Sequence, residues 1–377
     1  MGQGIDLLGA MTRIRPERPP APVDAARLRS LVLIKLSSIG DVVQALPVAS
    51  ALRRAHPALR ITWVAEEWTA PLVCDHPAVD RVIVFPTLVR WPSHMGEWRR
   101  HLAAAVRELR RERYDVAVDL QGLARSAAIS ALSRAPVRVA RAGQREGAHL
   151  VSRGVPMPST PVHAVDEYLQ VAAFLGAPLA PPAFELRPRR DAVEAIAGRL
   201  ADRGVGAGQP LIVLNASATQ RWKEWEPSRW VVVVDALSDA APVVLVGSAA
   251  HRTRHAAIAR EARCTPLDWT GRTTLPELVA LLDRASLHLA PDTGTVHIAA
   301  ALGTPVVAVY GPTRPARIGP HGQPESTVDH GDLCGAECPA YCLRARRCLA
   351  AATPDEVIAR ARARLASSCG SIAAVSR

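Results

Sequence analysis

The sequence predicts an α/β protein built from two doubly wound domains, and three observations lead to that prediction. Apolar runs of strand length alternate with amphipathic helical segments along most of the 377 residues. A proline-rich stretch at 178–188 divides this alternation into two halves of similar size. Hydrophobic residues make up 49% of the chain, which provides both halves with a core. The predicted divisions are a disordered tail at 1–29, domains at 30–180 and 189–350, and a terminal helix at 353–368.

The first half predicts a sheet of apolar strands joined by helices. Its first strand, 31–36, is continuously apolar apart from one lysine and is followed by the polar turn 37–41. A helix is expected from 41 to 55 because its apolar residues fall on one face. The remaining predictions are strands at 60–64, 81–85 and 114–120 and helices at 68–74, 98–111, 124–132 and 163–175.

The second half repeats the pattern and contains the most informative turn. The apolar run 285–290 and the polar turn 292–297 are followed by a short helix at 298–303 that ends at a glycine. In open α/β sheets ligands bind at the carboxyl ends of strands, which is where this turn lies. The other predictions are strands at 211–214, 242–246 and 306–310 and helices at 191–203, 230–237 and 275–283.

The composition favours an anionic partner. The chain carries 46 Lys and Arg against 35 Asp and Glu, a net charge of +11, which suits nucleic acid, a nucleotide-sugar or an anionic membrane. A GC-rich genome alone would also give this composition. No pattern typical of a nucleic-acid-binding module occurs, so nucleic acid is not expected. No signal peptide or apolar run of transmembrane length is seen, and seven cysteines without a signal argue against disulfides, so the expected compartment is the cytoplasm.

The turn at 292–297 is predicted to bind an anion. Backbone N–H groups at a helix N-terminus attract phosphate. Thr293 and Thr295 add hydroxyl donors, Gly294 permits close approach of the backbone, and His297 offers a hydrogen bond or a charge. The alternative is that Asp292 merely caps the helix.

Two further loops are predicted to face the same cleft. Asp41 follows the first strand and presents a carboxylate, which the helix dipole keeps ionised, as an available base. In the loop after the strand 211–214, Ser217, Thr219 and Lys223 have the hydroxyl and ammonium groups that hold a diphosphate. The alternatives are a helix cap at Asp41 and an exposed loop anchored by tryptophans at 225 and 230.

Over roughly residues 31–366 the chain resembles the bacterial heptosyltransferases of glycosyltransferase family 9. Each shared motif is weak by itself, but their common order and spacing are specific. They are Lys35-Leu36-Ser37-Ser38-Ile39-Gly40-Asp41-Val42-Val43, Trp63-Val64-Ala65-Glu66-Glu67, Asp119-Leu120-Gln121-Gly122-Leu123-Ala124-Arg125-Ser126, Lys223-Glu224-Trp225, Asp292-Thr293-Gly294-Thr295-Val296-His297 and Gly311-Pro312-Thr313.

The resemblance implies a GT-B fold with the C-terminal helix packing back, an acceptor-binding first domain and a nucleotide-sugar-binding second domain. It implies inverting transfer of heptose, with Asp41 as catalytic base, Lys223 at the diphosphate and no cofactor. The implied donor-binding residues are Ser217, Thr219, Gly247, Ser248, Asp292, Thr293, Gly294 and His297, and the implied acceptor-binding residues are Lys35, Ser37, Ser38, Arg90 and Gln121.

The implied partners are ADP-heptose and, as acceptor, Kdo-lipid A or inner-core lipopolysaccharide, with peripheral contact on the inner face of the cytoplasmic membrane. The chain departs from the family in two places. His251 stands where the family has an acidic residue for the donor nucleoside, which leaves the donor nucleotide and sugar open. The basic cluster after Arg90 is thinned by Pro92-Ser93-His94, which leaves the acceptor open.

Three rival functions remain because the donor and the acceptor are not decided by the motifs. A family member could glycosylate a protein or a small metabolite from another nucleotide-sugar. A GT-B sugar-nucleotide epimerase would need further acidic groups in the cleft, and the sequence identifies none. A catalytically silent scaffold is the third rival, and the intact Asp41 and Lys223 argue against it.

Four cysteines lie within fifteen residues near the end of the second domain. Their spacings differ from the paired CxxC pattern of most structural zinc sites, so reduced thiols without a metal are expected. The alternative metal ligands are Cys334, Cys338, Cys342 and Cys348.

Overall fold

The computed structural model describes residues 28–87, 95–160, 162–334 and 347–375 and contains two parallel sheets of six strands. The first sheet comprises β1 (Ser30–Ile34), β2 (Arg60–Glu66), β3 (Arg81–Phe85), β4 (Val116–Asp119), β5 (Val137–Ala140) and β6 (Arg153–Gly154). Its order is β3-β2-β1-β4-β5-β6, with every neighbouring pair parallel. The order reverses between β1 and β4, so the crevice beyond their carboxyl ends is open to a ligand.

The second sheet repeats this topology. It comprises β7 (Ile212–Leu214), β8 (Val243–Leu245), β9 (Leu267–Asp268), β10 (Leu287–Pro291), β11 (Val306–Tyr310) and β12 (Thr327–Asp329). The order is β12-β11-β10-β7-β8-β9, again with parallel neighbours. Here the reversal falls between β7 and β10, and the loops after these two strands are the predicted phosphate loop and donor turn.

Helices cover the faces of both sheets. They are α1 (Ile39–Ala55), α2 (Met95–Leu109), α3 (Ala124–Leu132), α4 (Ala164–Phe174), α5 (Arg190–Ala201), α6 (Pro227–Leu237), α7 (Arg252–Glu261), α8 (Leu275–Arg284), α9 (Gly294–Leu302), α10 (Pro315–Ile318), α11 (Arg347–Ala351) and α12 (Pro354–Val375). Within the described ranges, none of these helices combines the length and apolar character needed to span a bilayer. The last helix, α12, packs back onto α6 and the strands beside it.

The two domains meet where α1 of the first packs against α9 of the second. Two glycines make this approach possible. A Cβ atom on Gly40 would overlap the His297 ring, and one on Gly294 would lie 2.9 Å from Cγ2 of Ile39. The loop that contains Asp41 and the turn at 292–297 are therefore brought to one cleft, and the predicted GT-B fold is confirmed.

The structure differs from the predictions mainly at the edges of the sheets. The sequence did not indicate β5, β6, β9 or β12, which are two to four residues long. The segment at 68–74 forms a single 3₁₀ turn, Ala70–Leu72, and α12 continues to Val375, beyond the predicted end at 368. Most of the predicted tail, Arg90, Cys338 and Cys342 lie outside the described residues.

Candidate functional site

Two adjoining cavities lie between the domains. The first, about 270 Å³, is lined from the first domain by Ser38, Gly40, Asp41 and Gln44, and from the second domain by Thr219, Gln220, Lys223, Asp292, Thr293, Gly294, His297 and Ile318. The second, about 360 Å³, shares part of this lining and adds Ile39, Trp68, Asn215, Ser217, Ala218, Gly247, Ser248, His251, Thr273, Thr274, Leu275, Leu278 and Thr295. A larger cavity of about 750 Å³ borders residues 311–332, and its described lining contains none of the predicted catalytic or donor-binding residues.

Asp41 uses its two carboxylate oxygens differently. It is the third residue of a capping box, in which Oδ2 accepts hydrogen bonds from the backbone N–H and the hydroxyl of Ser38 at 3.0 and 2.7 Å. The other oxygen, Oδ1, lies 3.9 Å from the ammonium of Lys35. Burial by itself would raise the pKa of Asp41, but Lys35, the Ser38 hydrogen bonds and His297 outweigh it and hold this pKa below its ordinary value. The carboxylate is therefore ionised at neutral pH. The two hydrogen bonds from Ser38 occupy Oδ2 and leave Oδ1 available to accept a proton.

Lys35 lies beneath Asp41 instead of projecting openly into the cavity. Its side chain is only 2% exposed, and its ammonium donates hydrogen bonds to the Tyr168 hydroxyl at 2.9 Å and the Leu120 carbonyl at 3.3 Å. Direct contact of this ammonium with an acceptor sugar, as the resemblance implied, does not fit such burial. Its position suits a different task, which is to supply positive charge to the Asp41 carboxylate.

Ser37 and Gln121 support the Asp41 loop from behind. The Gln121 side-chain oxygen accepts hydrogen bonds from the backbone N–H groups of Leu36 and Ser37 at 3.3 and 3.4 Å. The Ser37 hydroxyl accepts a hydrogen bond of 2.7 Å from Arg125, which also forms an ion pair of 2.5 Å with the buried Glu66. These contacts fix the backbone that leads into Asp41.

Of the two remaining predicted acceptor-side residues, Ser38 lines both cavities, whereas Arg90 lies outside the described residues. Gln44 and Trp68 also line the cleft. Gln44 is buried on a helix whose neighbours are apolar, and that isolated polar residue was the signal that could have identified it.

Lys223 and Asp292 form an ion pair across the first cavity. The Lys223 ammonium lies 2.6 Å from Oδ2 of Asp292, and Thr313 donates its hydroxyl proton to the same oxygen. The residue before α9 is Thr293, which makes no side-chain cap hydrogen bond. The interpretation of Asp292 as a helix cap is therefore wrong. Lys223 is 19% exposed, so its cation remains accessible to a ligand on one side.

His297 enters the site as a neutral hydrogen-bond donor. Burial lowers its pKa to about 4, although Asp292 and Asp41 act in the opposite direction. The Gln44 amide nitrogen lies 3.3 Å from Nδ1 and donates to it, so the ring proton is on Nε2. Of the two roles predicted for this histidine, a hydrogen bond or a charge, the structure favours the first.

Apolar and polar side chains meet in the second cavity. Leu275 and Leu278 supply apolar surface, and the Ser248 hydroxyl lies 2.9 Å from Nδ1 of His251. A Cβ atom on Gly247 would lie 2.8 Å from the ring of His255, so a larger residue there would displace that ring. The serine and histidine provide hydrogen-bonding groups beside an apolar surface, which suits a ribose and a base.

Thr295 already has a partner inside the fold. Its hydroxyl lies 2.8 Å from Nε2 of the buried His288, and the residue also lines the second cavity. The contact of this hydroxyl with a phosphate stays a prediction. The sequence placed His288 within a strand but gave no indication of its partner, because the contact joins β10 to the first turn of α9.

Known proteins similar to this chain agree with the architecture and the motifs. The model of glycosyltransferase family 9 (heptosyltransferase) matches residues 102–340. The lipopolysaccharide heptosyltransferase 1 of Pseudomonas aeruginosa is 32% identical over 310 residues, which cover 78% of this chain and 81% of that protein. The lipopolysaccharide core heptosyltransferase OpsX of Haemophilus influenzae is 26% identical over 306 residues, 80% of this chain and 84% of that protein.

Solved structures give the same result. The Escherichia coli heptosyltransferase WaaC with ADP superimposes with a TM-score of 0.64 at 27% identity, over 78% of this chain and 91% of that one. A family 9 glycosyltransferase from Veillonella parvula reaches a TM-score of 0.75 at 20% identity, over 92% and 99%, which supports the fold. The match to the family model and the Pseudomonas aeruginosa relative decide the assignment: this chain belongs to glycosyltransferase family 9, the heptosyltransferases.

Proposed function

We propose that this enzyme is an inverting glycosyltransferase that transfers heptose from ADP-heptose to the Kdo or heptose inner core of lipopolysaccharide. The observation that carries the proposal is that Asp41 and Lys223, from different domains, line one cavity. The donor and acceptor classes are supported by the lipopolysaccharide heptosyltransferases among its relatives and by WaaC structures with ADP and with ADP-2-deoxy-2-fluoro heptose, which are 27% and 26% identical to this chain.

In this proposal Asp41 is the general base. An acceptor hydroxyl attacks the anomeric carbon of the heptose, and the bond from that carbon to the diphosphate oxygen breaks. The hydroxyl proton passes to Oδ1 of Asp41, while Oδ2 stays bonded to Ser38. The lowered pKa of Asp41 makes it a modest base that is always ionised, so positioning must supply much of the effect.

The departing ADP is stabilised by groups of the second domain. Negative charge grows on the diphosphate as the glycosidic bond breaks, and preorganised donors at that place lower the barrier. Lys223 supplies a cation, His297 supplies its Nε2–H, and the first turn of α9 supplies backbone N–H groups. The Asp292 carboxylate holds the Lys223 ammonium in place before the donor arrives.

The stereochemical outcome follows from the number of available carboxylates. A retaining mechanism with a covalent intermediate needs a second carboxylate as nucleophile. Of the two carboxylates that line the first cavity, Asp292 is bonded to Lys223 and Thr313, which leaves Asp41 alone to act. A single displacement with Asp41 as base inverts the anomeric centre.

We further propose that the enzyme acts on the cytoplasmic side of the inner membrane, in peripheral contact with its surface. A lipid-linked acceptor has to be reached at that surface, and the net charge of +11 favours anionic lipid. Arg99, Arg100 and Arg107 are exposed on α2 of the first domain and supply a basic face for this contact. Co-sedimentation with anionic vesicles but not with zwitterionic ones is expected, and equal sedimentation with both would contradict an electrostatic contact.

The activity is tested by incubating the purified enzyme with ADP-heptose and Kdo-lipid A. We expect release of ADP and a product whose new glycosidic bond is inverted relative to the donor, as read by NMR. GDP-heptose and UDP-heptose serve as matched controls for the nucleotide. No transfer to Kdo-lipid A, with transfer to a protein or a metabolite instead, would replace the proposed acceptor.

A further inference from the structure

An exposed tryptophan of the first domain lines the second cavity. Trp68 lies two residues beyond the end of β2 and is 43% exposed. It borders the same space as Leu275 and Leu278 of the second domain. The 3₁₀ turn Ala70–Leu72, which begins two residues later, packs against α8, the helix that contains both leucines. Trp68 therefore lies close to the apolar part of this cavity.

The Trp68 ring is held in place by a buried carboxylate. Its indole N–H donates a hydrogen bond of 2.7 Å to Oε2 of Glu66, and Oε1 of this buried glutamate forms an ion pair of 2.5 Å with Arg125. An indole has one N–H group and no acceptor, so the ring offers a ligand only its apolar π surface. Single exposed apolar side chains are common and need no function, but this one is fixed and lies in a cavity wall.

The backbone beside Trp68 is fixed as well. Thr69 is completely buried, its backbone N–H donates to the Glu66 carbonyl at 3.0 Å, and its hydroxyl lies 2.6 Å from the Leu36 carbonyl oxygen. The backbone N–H of Glu66 donates to the same Leu36 carbonyl at 3.2 Å. A side chain that is ordered before its ligand arrives loses less conformational freedom on binding, which strengthens the contact.

The position of Trp68 differs from that of the proposed reacting groups. Asp41 and Lys223 line the first cavity, and the described lining of that cavity does not include Trp68. The second cavity combines apolar surface from α8 with polar groups such as the Ser248 hydroxyl. A planar base packs well against aromatic and aliphatic surface, and ribose hydroxyls need polar partners. The surroundings of Trp68 therefore favour a nucleobase over the transferred sugar.

We propose that Trp68 stacks on the base of the nucleoside diphosphate donor and that Glu66 is the positioning residue that orients its ring. The proposal rests on the proposed function, because it needs a donor of that class. Stacking on an aromatic side chain requires only the π face of the base, and its removal by alanine substitution weakens binding about 5- to 150-fold. The donor base then contacts both domains, whereas the resemblance assigned nucleotide-sugar binding to the second domain.

The first test compares Trp68→Ala and Trp68→Phe with the wild type by calorimetry. Alanine removes the ring, whereas phenylalanine keeps an aromatic face and loses only the N–H bond to Glu66. We expect ADP to bind Trp68→Ala about 5- to 150-fold more weakly than the wild type, with Trp68→Phe between the two. Pyrophosphate, which has no base, should bind all three equally. Unchanged ADP affinity in Trp68→Ala, or equal weakening of ADP and pyrophosphate, would overturn the proposal.

ADP-heptose distinguishes a contact with the base from a contact with the sugar. ADP and ADP-heptose carry the same base, so Trp68→Ala should weaken both by the same factor. A loss confined to ADP-heptose would place the ring against the sugar and overturn the proposal.

The positioning role of Glu66 is tested by Glu66→Gln. The amide has one acceptor oxygen for both Arg125 and the indole N–H, so the Trp68 ring loses its fixed orientation. We expect ADP affinity to fall relative to pyrophosphate affinity, and no further fall when Glu66→Gln is added to Trp68→Ala. A lower thermal midpoint with an unchanged affinity ratio would mean a purely structural role and would count against the proposal. Trp68→Phe removes the same hydrogen bond from the ring side and keeps the test available where Glu66→Gln does not fold.

Indole fluorescence reports the stacking directly, because a stacked adenine quenches the emission of an indole ring. ADP should quench the wild type, and part of this quenching should be lost in Trp68→Phe. The matched control is Trp98→Phe on α2, whose tryptophan is not among the described lining residues of either cavity. Full quenching in Trp68→Phe would overturn the proposal.

The two levels of the argument fail in different ways. A wild-type enzyme that does not bind ADP would refute the proposed function and this inference with it. A wild-type enzyme that binds ADP, together with Trp68 variants that bind it equally well, would refute the inference alone.

Discussion

At the scale of single residues, Asp41 allows a cap role and a base role to be separated by one substitution. Asn at position 41 keeps an oxygen that accepts the two hydrogen bonds from Ser38. It cannot accept a proton, so we expect transfer to fall by about 10²–10⁴-fold while donor affinity stays near that of the wild type. Turnover with Kdo-lipid A and calorimetry with ADP measure the two effects.

Lys223→Ala is the matched comparison for that experiment. Removing the ammonium that we propose contacts the diphosphate should reduce donor affinity as well as turnover, unlike Asp41→Asn. An Asp41→Asn enzyme that keeps more than about a tenth of wild-type turnover would exclude this carboxylate as the base.

The donor turn gives a second prediction at this scale. Asp292→Ala removes the carboxylate that is paired with Lys223, and His297→Ala removes an imidazole that lines the first cavity. Both variants are expected to bind ADP more weakly, each by roughly 10- to 150-fold as for hydrogen bonds to charged groups, with circular dichroism like that of the wild type. Isothermal titration with ADP measures the loss. Wild-type affinity in both variants would mean that the turn is only structural.

The sequence identified most of the candidate site residues, but it did not predict their charge states or hydrogen-bond partners. Asp41, Lys223 and Asp292 were identified because each follows a strand that the sequence makes obvious. The neutral state of His297 could not be predicted, because it depends on burial and on residues distant in the chain. Gln44 lies 253 positions from His297 and still sets its tautomer.

At the scale of elements, the contact between α1 and α9 depends on Gly40. Gly40→Ala would place a Cβ atom against the His297 ring, so the helices must separate. Such overpacking costs about 1–3 kcal/mol, and we expect a lower thermal midpoint together with loss of transfer. Differential scanning calorimetry and a turnover assay measure both.

A second glycine provides the control. Gly198 lies on α5, is exposed, and has open space where a Cβ atom would lie. Gly198→Ala should stabilise the protein by about 0.5–1 kcal/mol through helix propensity and leave transfer unchanged. Equal behaviour of the two variants would mean that α1 and α9 do not meet as described.

Elements in the centres of the sheets were predicted better than those at the edges. β1 and β11 consist entirely of buried residues and appear in the sequence as continuous apolar runs. β6 (Arg-Gly) and β9 (Leu-Asp) each have only two residues and carry no such signal. They are strands because a neighbouring strand already exists to pair with them, and that pairing is tertiary.

At the scale of the whole molecule, buried histidines predict a pH-dependent stability. His255, His288 and His297 each have a pKa lowered to about 4 by burial. Unfolding returns them to roughly 6.5, so between about pH 6.5 and 4 the unfolded chain binds more protons and folding stability falls as the pH decreases. Each histidine contributes a slope of about 1.4 kcal/mol per pH unit within that window.

Thermal midpoints measured from pH 7.5 to 5 test this expectation. The midpoint should change little above pH 7 and decrease steeply below pH 6.5. His255→Gln should make the decrease shallower, whereas His101→Gln, on an exposed position of α2, should leave it unchanged. A midpoint independent of pH across this range would contradict the neutral state of all three buried histidines.

The sequence by itself determined that the chain has two doubly wound halves and where the central strands end, and it identified the loops that hold Asp41, Lys223 and Asp292. These properties follow from local periodicity and from short sequence motifs. Only the tertiary structure decided that Lys35 lies beneath Asp41 and that Lys223 is held by Asp292. Each of these depends on contacts between separate segments, because charge state and hydrogen-bond direction are set by whatever the fold places within about 3–4 Å.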